Sequence, residues 1–260
     1  MTRGTTGVNR LRRVDRYLLT LPALRAPAPL VVDLGFGARP WTTLELADRV
    51  HRIRPDTRVL GLEIDPERVA EAAPSARDGV TFAHGGFEIP TPDGGPADVV
   101  RAMNVLRLYE EHEVPSAWQR MTSRLSPAGR VLDGTCDELG RVAAWIDLDR
   151  DGPRSLTISL RLQGLERPGV VAERLPKALI HRNVPGEGVH DLLVALDAAW
   201  QRASPLAVYG PVQRFLATAE AVRAAGWPVQ GGRRRWRLGE LTVDWSSVAP
   251  GLRQDLRPGR

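Results

Sequence analysis

Several residue types that define protein classes are rare in this sequence. One cysteine, Cys136, occurs among the 260 residues. A single cysteine excludes an internal disulfide and is typical of proteins from a reducing cytoplasm. The sequence has no run of about 18 apolar residues, which a membrane-spanning helix would require. Residues 1–13 contain arginines with no apolar segment behind them, unlike a secretory signal. We therefore expect a cytoplasmic protein with no membrane partner.

Lysine is almost absent as well, although the protein is basic. The only lysine is Lys177, so arginine carries nearly all of the positive charge behind the formal net charge of +5. A basic protein is a candidate for nucleic-acid binding. The arginines are nevertheless spread along the chain, apart from two groups at residues 10–16 and 233–237. RNA is therefore kept as an alternative partner and not as the predicted one.

The most informative segment is residues 30–40, which read LVVDLGFGARP. Apolar residues lead into Asp33 and then into a turn formed by Gly35, Phe36 and Gly37. This order predicts a buried strand that ends in a tight turn before a helix, which is where α/β proteins hold nucleotide-like ligands. Glycine lets the backbone approach a ligand closely because it has no Cβ. Asp33 is then placed to accept a hydrogen bond from a ligand or to balance a positive charge on it.

A second strand signal occurs at residues 58–63, where apolar residues end in Glu63 and are followed by Ile64. Pro66 then favours the start of a helix. A carboxylate at the tip of such a strand can accept hydrogen bonds from both hydroxyls of a ribose. We therefore predict that Glu63 is a ribose ligand.

The rest of the chain continues the alternation of strands and helices. Predicted strands occupy residues 30–34, 58–63, 79–83, 97–101 and 130–134. The short links between strands and helices favour a parallel, doubly wound α/β sheet. A basic amphipathic helix is predicted before the first strand, at residues 9–20. The later elements are predicted as a hairpin at 142–148 and 155–162, helices at 189–203 and 211–225, and a final strand pair at 229–236 and 241–245.

Residues 28–135 and 211–246 together resemble class I S-adenosylmethionine-dependent methyltransferases. In that family the first strand ends in an acid and a glycine loop, the second strand ends in a ribose-binding acid, and the last strand is antiparallel. The resemblance implies a Rossmann-like, seven-stranded sheet in one domain over residues 1–260, with S-adenosyl-L-methionine as cofactor. Residues 138–210 are then a hairpin and helix insertion after strand five. We expect this insertion above the carboxyl edge of the sheet, where it would cover the methyl acceptor.

The resemblance also implies a set of cofactor-binding residues, which lie at the ends of the predicted strands. They are Asp33, Gly35, Phe36, Gly37, Arg39, Glu63, Ile64, Gly86, Phe87, Arg101 and Asn104. Two positions depart from the family pattern, since Arg39 stands where a third glycine is usual and Gly86 stands where an acid is usual. Backbone groups of Gly86 and the ring of Phe87 are predicted to contact the adenine instead.

No catalytic triad is expected, because the cofactor carries the reactivity and the protein orients the reactants. The candidates for a base or for a group that orients the acceptor are Asn104, Asp137 and His181. His181 and His190 have no co-ligands that the sequence indicates, so we predict no metal site.

The sequence thus predicts in-line methyl transfer to an acceptor that we expect to be a small molecule. The insertion, with Trp145, Trp200 and Tyr209, favours an enclosed pocket over an open RNA groove. Two alternatives stay open, an RNA methyltransferase and a non-catalytic protein that keeps the fold for binding or as a scaffold. A nicotinamide dehydrogenase fits less well, because Pro40 occupies the last position of its glycine fingerprint. Neither the acceptor nor the oligomeric state has a signal in the sequence.

Overall fold

The computed structural model describes residues 7–251, which form one mixed β-sheet flanked by helices. Residues 1–6 and 252–260, parts of the predicted N-terminal segment and of the predicted single domain, lie outside the described residues. The strands are β1 (Leu30–Leu34), β2 (Arg58–Glu63), β3 (Val80–His84), β4 (Ala97–Met103), β5 (Leu125–Cys136), β6 (Val142–Asp149), β7 (Gly152–Leu160), β8 (Val229–Gln230) and β9 (Glu240–Asp244). The α-helices are α1 (Arg12–Leu18), α2 (Trp41–His51), α3 (Pro66–Ala72), α4 (Val114–Thr122), α5 (Lys177–Ile180), α6 (Gly188–Arg202), α7 (Pro211–Ala224) and α8 (Arg233–Trp236). Within residues 7–251, no helix combines the length and the apolar character that crossing a membrane requires.

Five neighbouring strands, in the order β3-β2-β1-β4-β5, run parallel to one another. The direction in which strands are added reverses between β1 and β4, and this position is the topological switch point of a doubly wound sheet. Such strands are covered on both faces, and the apolar residues of β1 and β2 are accordingly buried along the strands. This part of the structure confirms the predicted α/β, Rossmann-like arrangement.

The sheet contains nine strands within the described residues, so the predicted number of seven is wrong. We expected the hairpin β6–β7 to lie above the carboxyl edge of the sheet. It instead extends the sheet in the plane of the sheet. β6 pairs antiparallel with the last residues of β5, and β7 continues the sheet to β9. Residues 143–148 of β6 are buried on both faces of the strand, which is the burial pattern of a central strand and not of a covering loop.

The last strand of the sheet is antiparallel, as predicted, because β9 pairs antiparallel with both β7 and β8. The strand predicted at 229–236 is wrong beyond Gln230. Gly231 has a φ of 67°, a left-handed backbone that ends the strand. The chain then forms the short helix α8, whose Trp236 is buried against the core.

Side chains that alternate along the strands divide the core between the two faces of the sheet. One core joins α1 and α2 to strand residues such as Val31 and Val99. The opposite core joins α4, α6 and α7 to the intervening strand residues, such as Val32 and Val100. Asp33 and Arg101 stand opposite each other in the register of β1 and β4, on the face that α1 and α2 cover. Arg101 therefore lies close enough to pair with the Asp33 carboxylate at the end of β1.

Candidate functional site

A cavity of about 480 Å³ opens where β1, β2, β4 and β5 reach their carboxyl ends. Its volume lies in the range of sites that hold small molecules and cofactors. It lies over the switch point between β1 and β4, which is where open α/β sheets bind their ligands. Residues of the glycine turn, the ends of β2 and β4, and the segment after β5 line it. The parallel part of the fold therefore places the predicted site region at a cavity of suitable size.

The glycine turn after β1 is bonded to the end of β2. The Gly35 N–H donates to the carbonyl of Leu62 at 2.7 Å, and Gly35 and Gly37 have φ values of 73° and 82°. A Cβ at position 35 would lie 2.8 Å from a methyl carbon of Val105. Glycine at position 35 is therefore required by both the backbone conformation and the packing.

Glu63 joins the two predicted motifs. Its side chain is buried, with the residue 3% exposed, and lines the cavity. One carboxylate oxygen accepts from the Gly37 N–H at 2.9 Å, and the other accepts from the Ile64 N–H at 3.0 Å. An ionised carboxylate has about four acceptor positions, so it can still accept from two hydroxyls of a ligand. The Glu63 carboxylate also lies 4.0 Å from the Arg68 guanidinium.

Asp33, the acid before the glycine turn, is held by groups of the protein itself. Its carboxylate accepts hydrogen bonds from the hydroxyls of Thr42 and Thr43 in the first turn of α2, at 3.0 and 2.8 Å. It also forms a bidentate ion pair with Arg101, with N–O distances of 3.0 and 2.8 Å. Three of these contacts fall on Oδ2 and one falls on Oδ1, so Oδ1 keeps one acceptor position. Asp33 lines the cavity, but its charge is balanced from behind by arginine.

Arg101 is fully buried between two carboxylates. Besides Asp33, it pairs with Asp15 of α1, and it donates to the carbonyl of Thr42 at 3.0 Å. Asp15 is bonded in turn to Arg49 of α2. Burial alone would lower the pKa of Arg101, but Asp15 and Asp33 outweigh burial and raise it above its ordinary value. The buried guanidinium is therefore charged, and it ties α1 and α2 to the sheet.

Asn104 shapes the cavity wall between β4 and β5. It adopts a left-handed backbone with φ 63°, which asparagine tolerates better than most residues. Its side-chain oxygen accepts from the Cys136 N–H at 3.0 Å, and its side-chain amide lies 3.4 Å from the Cys136 sulfur. Burial raises the pKa of the Cys136 thiol. The thiol is therefore neutral at physiological pH, which disfavours a nucleophilic role for Cys136.

The structure brings most of the predicted cofactor residues to one cavity. Those that line it are Asp33, Gly35, Phe36, Gly37, Glu63, Ile64 and Asn104. Four others do not line it. Arg101 is buried behind Asp33, and Arg39 is exposed in the turn before α2. The Gly86 N–H donates to the Glu88 carboxylate, and the Phe87 ring packs 5.1 Å from the ring of Tyr109, which itself lines the cavity.

The two other catalytic candidates lie away from this cavity. The Asp137 carboxylate accepts from the N–H groups of Arg141 and Val142, at 2.6 and 3.2 Å, and so closes the turn that leads into β6. His181 follows the last residue of α5 and is exposed. Among residues 7–251, no three His, Cys, Asp or Glu side chains are grouped so that they could hold a metal ion.

Several residues that line the cavity were not predicted from the sequence. The charged ones are Arg10, Arg68, Arg107 and Arg174. Arg10 belongs to the first arginine group, and Arg107 follows β4 directly, so both had a weak signal. Arg174 had none, because it lies 38 residues beyond the end of β5 in a 3₁₀ helix.

Comparisons with known proteins yield only partial structural matches. No protein-family model and no curated protein sequence matches the chain. A pericyclic reaction enzyme matches with 17% identity and a TM-score of 0.38, over 52% of this chain and 34% of that one. Human N-acetylserotonin methyltransferase in complex with S-adenosylmethionine matches with 26% identity and a TM-score of 0.36, over 49% and 35%.

Magnesium protoporphyrin IX methyltransferase from Synechocystis PCC 6803, with bound S-adenosylhomocysteine, matches with 20% identity and a TM-score of 0.39, over 53% of this chain and 64% of that one. The chain spans about a third of the length of the first two matched structures. The matched structures thus include methyltransferases, the family that the sequence resembles, and an enzyme described by another reaction. At TM-scores below 0.5, function has to be argued from the cavity and its residues.

Proposed function

We propose that the protein is an S-adenosylmethionine-dependent methyltransferase. The observation that carries the proposal is the Glu63 carboxylate, which lies at the end of β2, bonds to the glycine turn and faces the cavity over the switch point. A carboxylate at this position can accept hydrogen bonds from both hydroxyls of a ribose. The sequence motifs at residues 30–40 and 58–66 supply the same set of groups independently.

The residues at the cavity fit this cofactor. Glu63 keeps acceptor positions for the ribose, and the glycines of the turn, Gly35 and Gly37, line the cavity without side chains that would stand between a ligand and the backbone. Ile64 and Leu108 line the same cavity and expose 55% and 64% of their surfaces, which suits the apolar faces of an adenine. We assign these two side chains to the adenine, in place of Gly86 and Phe87.

The bound cofactor would supply the methyl group, and the protein would orient the acceptor for in-line attack. Asn104 positions the end of β5 through its bonds to Cys136, and we propose it as a positioning residue. Asp33 is paired with Arg101 and Glu63 is assigned to the ribose, so we propose Glu138 or Tyr109, which also line the cavity, as the group that takes a proton from an acceptor. Asp137 and His181 have no part in this proposal, because neither lines the cavity.

The acceptor that we propose is a small molecule, and we place the protein in the cytoplasm. The insertion contributes to the acceptor side through Arg174, which reaches the cavity although β6 and β7 belong to the sheet. The segment from Pro168 to Arg174 is held against β5 because the Thr135 hydroxyl donates to the Arg174 carbonyl. Together with the end of β5, this segment closes one side of the cavity.

The arginine groups argue against RNA as the acceptor, because internal partners hold several of their members. Arg13 of the first group donates to the Gly140 carbonyl at 3.1 Å. Arg16 of the first group and Arg235 of the second both pair with the buried carboxylate of Glu240. These side chains join α1 to the strand end at β9 and do not form a free basic stripe along the surface.

Calorimetric titration with S-adenosylmethionine and, separately, with NAD tests the proposal. We expect micromolar binding of S-adenosylmethionine and no comparable binding of NAD. Glu63→Gln should weaken the affinity by about 10- to 100-fold, because it removes a charged acceptor of two hydroxyl groups. Glu67→Gln is the matched control, since Glu67 is exposed in the first turn of α3. Absence of binding to a folded wild-type protein would refute the proposal and favour the scaffold alternative.

A further inference from the structure

Three arginine side chains meet at the carboxyl end of β5. They are Arg10, Arg107 and Arg174, which all line the cavity and are here called the β5-end cluster. They come from three distant parts of the chain, the segment before α1, the turn after β4, and the 3₁₀ helix Pro168–Arg174. Their convergence therefore results from the tertiary fold and not from a local charge run.

Backbone groups hold the cluster in place. The Arg10 guanidinium donates to the carbonyls of Asp137 at 3.0 Å and Cys136 at 3.3 Å. The Arg107 guanidinium donates to the Glu173 carbonyl at 3.4 Å, and the Arg174 backbone is anchored through its carbonyl to β5. The cluster is therefore built on the end of β5, with bonds that orient the Arg10 and Arg107 guanidiniums and fix the Arg174 backbone, and none of these bonds is to a carboxylate.

No carboxylate neutralises the cluster directly. Within residues 7–251, none of the three guanidiniums has a carboxylate oxygen within 4.0 Å, although Glu138 lines the same cavity. The pKa of Arg107 is lowered, first by burial and then by the positive charges of Arg174 and Arg10. The opposing influence of Glu173 does not compensate. Three cations held near one another, with no carboxylate in direct contact, favour an anionic ligand.

We propose that the β5-end cluster is an oxyanion-binding subsite for the methyl acceptor, so that the acceptor carries a carboxylate or phosphate group. Arginine suits this task because its planar guanidinium can bind such groups through two hydrogen bonds. The assignment to an acceptor rests on the proposed methyltransferase function, whereas the binding of an oxyanion does not.

The position of the cluster separates it from the ribose acid. Glu63 ends β2, and the cluster surrounds the end of β5, three strand positions away in the order β2-β1-β4-β5. At about 4.8 Å per strand this is roughly 14 Å along the sheet edge. The cluster therefore lies on the β5 side of the switch point, next to the segment from the insertion and opposite the ribose end. This location is the reason for choosing the acceptor over the cofactor's own carboxylate.

The test is a calorimetric titration of the full-length protein with inorganic phosphate at constant ionic strength. The variants are Arg107→Gln and Arg174→Gln, and the control is Arg52→Gln, an exposed arginine after α2. Each cluster variant should weaken phosphate binding about tenfold, as expected for the loss of one charged hydrogen bond, and the control should not. Equal phosphate affinity in wild type and both variants would overturn the subsite.

Repeating the titration with saturating S-adenosylhomocysteine identifies the occupant of the subsite. If the cluster serves the acceptor, phosphate binds the complex as it binds the free protein, and the variants keep their affinity for S-adenosylhomocysteine. If phosphate competes with S-adenosylhomocysteine and the variants lose affinity for it, the cluster holds the cofactor's carboxylate and the acceptor assignment is wrong. If S-adenosylhomocysteine does not bind but the variants still bind phosphate more weakly than wild type, the oxyanion site is confirmed and the methyltransferase proposal fails.

Discussion

Asp133 should make the protein less stable as the pH rises from about 4 to about 7. The residue lies in β5, 2% exposed, and one carboxylate oxygen accepts from the Trp118 indole N–H at 2.8 Å. Burial raises its pKa from 3.8 to about 7, since the opposing hydrogen bond from Trp118 is too weak to compensate. The folded state therefore keeps a proton that the unfolded chain has lost.

The sign and the size of the effect follow from this difference in pKa. Below about pH 4 both states of Asp133 are protonated, so the residue has no effect on the pH dependence. Between about pH 4 and 7 only the unfolded chain ionises, and the free energy of unfolding falls by about 1.4 kcal/mol per pH unit. Above pH 7 the loss is complete at about 4 kcal/mol, for a pKa that has risen from 3.8 to about 7.

Urea unfolding of wild type and Asp133→Asn between pH 4 and 8 measures this contribution. The amide cannot ionise, so the variant should gain about 4 kcal/mol relative to wild type between the two pH values. Asp78→Asn is the control, because Asp78 is exposed in the turn before β3. Other buried carboxylates act equally in both proteins and cancel in the difference. Parallel stability curves for wild type and Asp133→Asn would refute a raised pKa at this position.

Substitutions at three further positions test the groups around the cavity. Arg101→Met should destabilise the fold by about 3–5 kcal/mol in urea unfolding, because it leaves the buried Asp33 carboxylate without a counter-charge and removes one of the two arginine partners of Asp15; an effect below 1 kcal/mol would contradict this. Gly35→Ala should cost about 1–2 kcal/mol for its left-handed backbone and should also weaken S-adenosylmethionine binding in calorimetry, since its Cβ displaces Val105. Asn104→Ala should be less stable than Asn104→Gly by about 1 kcal/mol, because both lose the bond to Cys136 but only alanine strains the positive φ; equal stabilities would exclude that strain.

The ends of β1 and β2 could be predicted from the sequence because the signals there are local. Each is a short apolar run that ends in an acid and a turn, and the structure begins and ends both strands at the predicted residues, Leu30–Leu34 and Arg58–Glu63. The partners of the two acids were harder to predict. Glu63 bonds to a turn 26 residues earlier, and Asp33 bonds to Arg101, 68 residues later, through the register of β1 and β4. Register between strands that are not consecutive has no local signature.

The hairpin shows the same limit at the level of the fold. Its two strands and its turn were predicted near their observed positions, at β6 and β7. The predicted position of the hairpin, above the carboxyl edge of the sheet, was wrong. The same alternating pattern suits a hairpin that covers a site and a hairpin that pairs with β5. Arg174 reaches the cavity through the packing of a 3₁₀ helix on β5, and no periodicity in residues 161–176 indicates this contact.

The Asp15–Arg101–Asp33 arrangement has an evolutionary consequence. Losing Arg101 alone leaves the buried Asp33 carboxylate without a counter-charge, whereas an apolar set of similar volume can replace all three residues with little loss. Selection therefore links positions 33 and 101, and relatives in which the acid at position 33 is structural should keep the arginine at position 101. A relative with an acid at position 33 and an apolar residue at position 101 has an ionisable group free to meet a ligand, so the pair of positions predicts which relatives use the strand-end acid for binding.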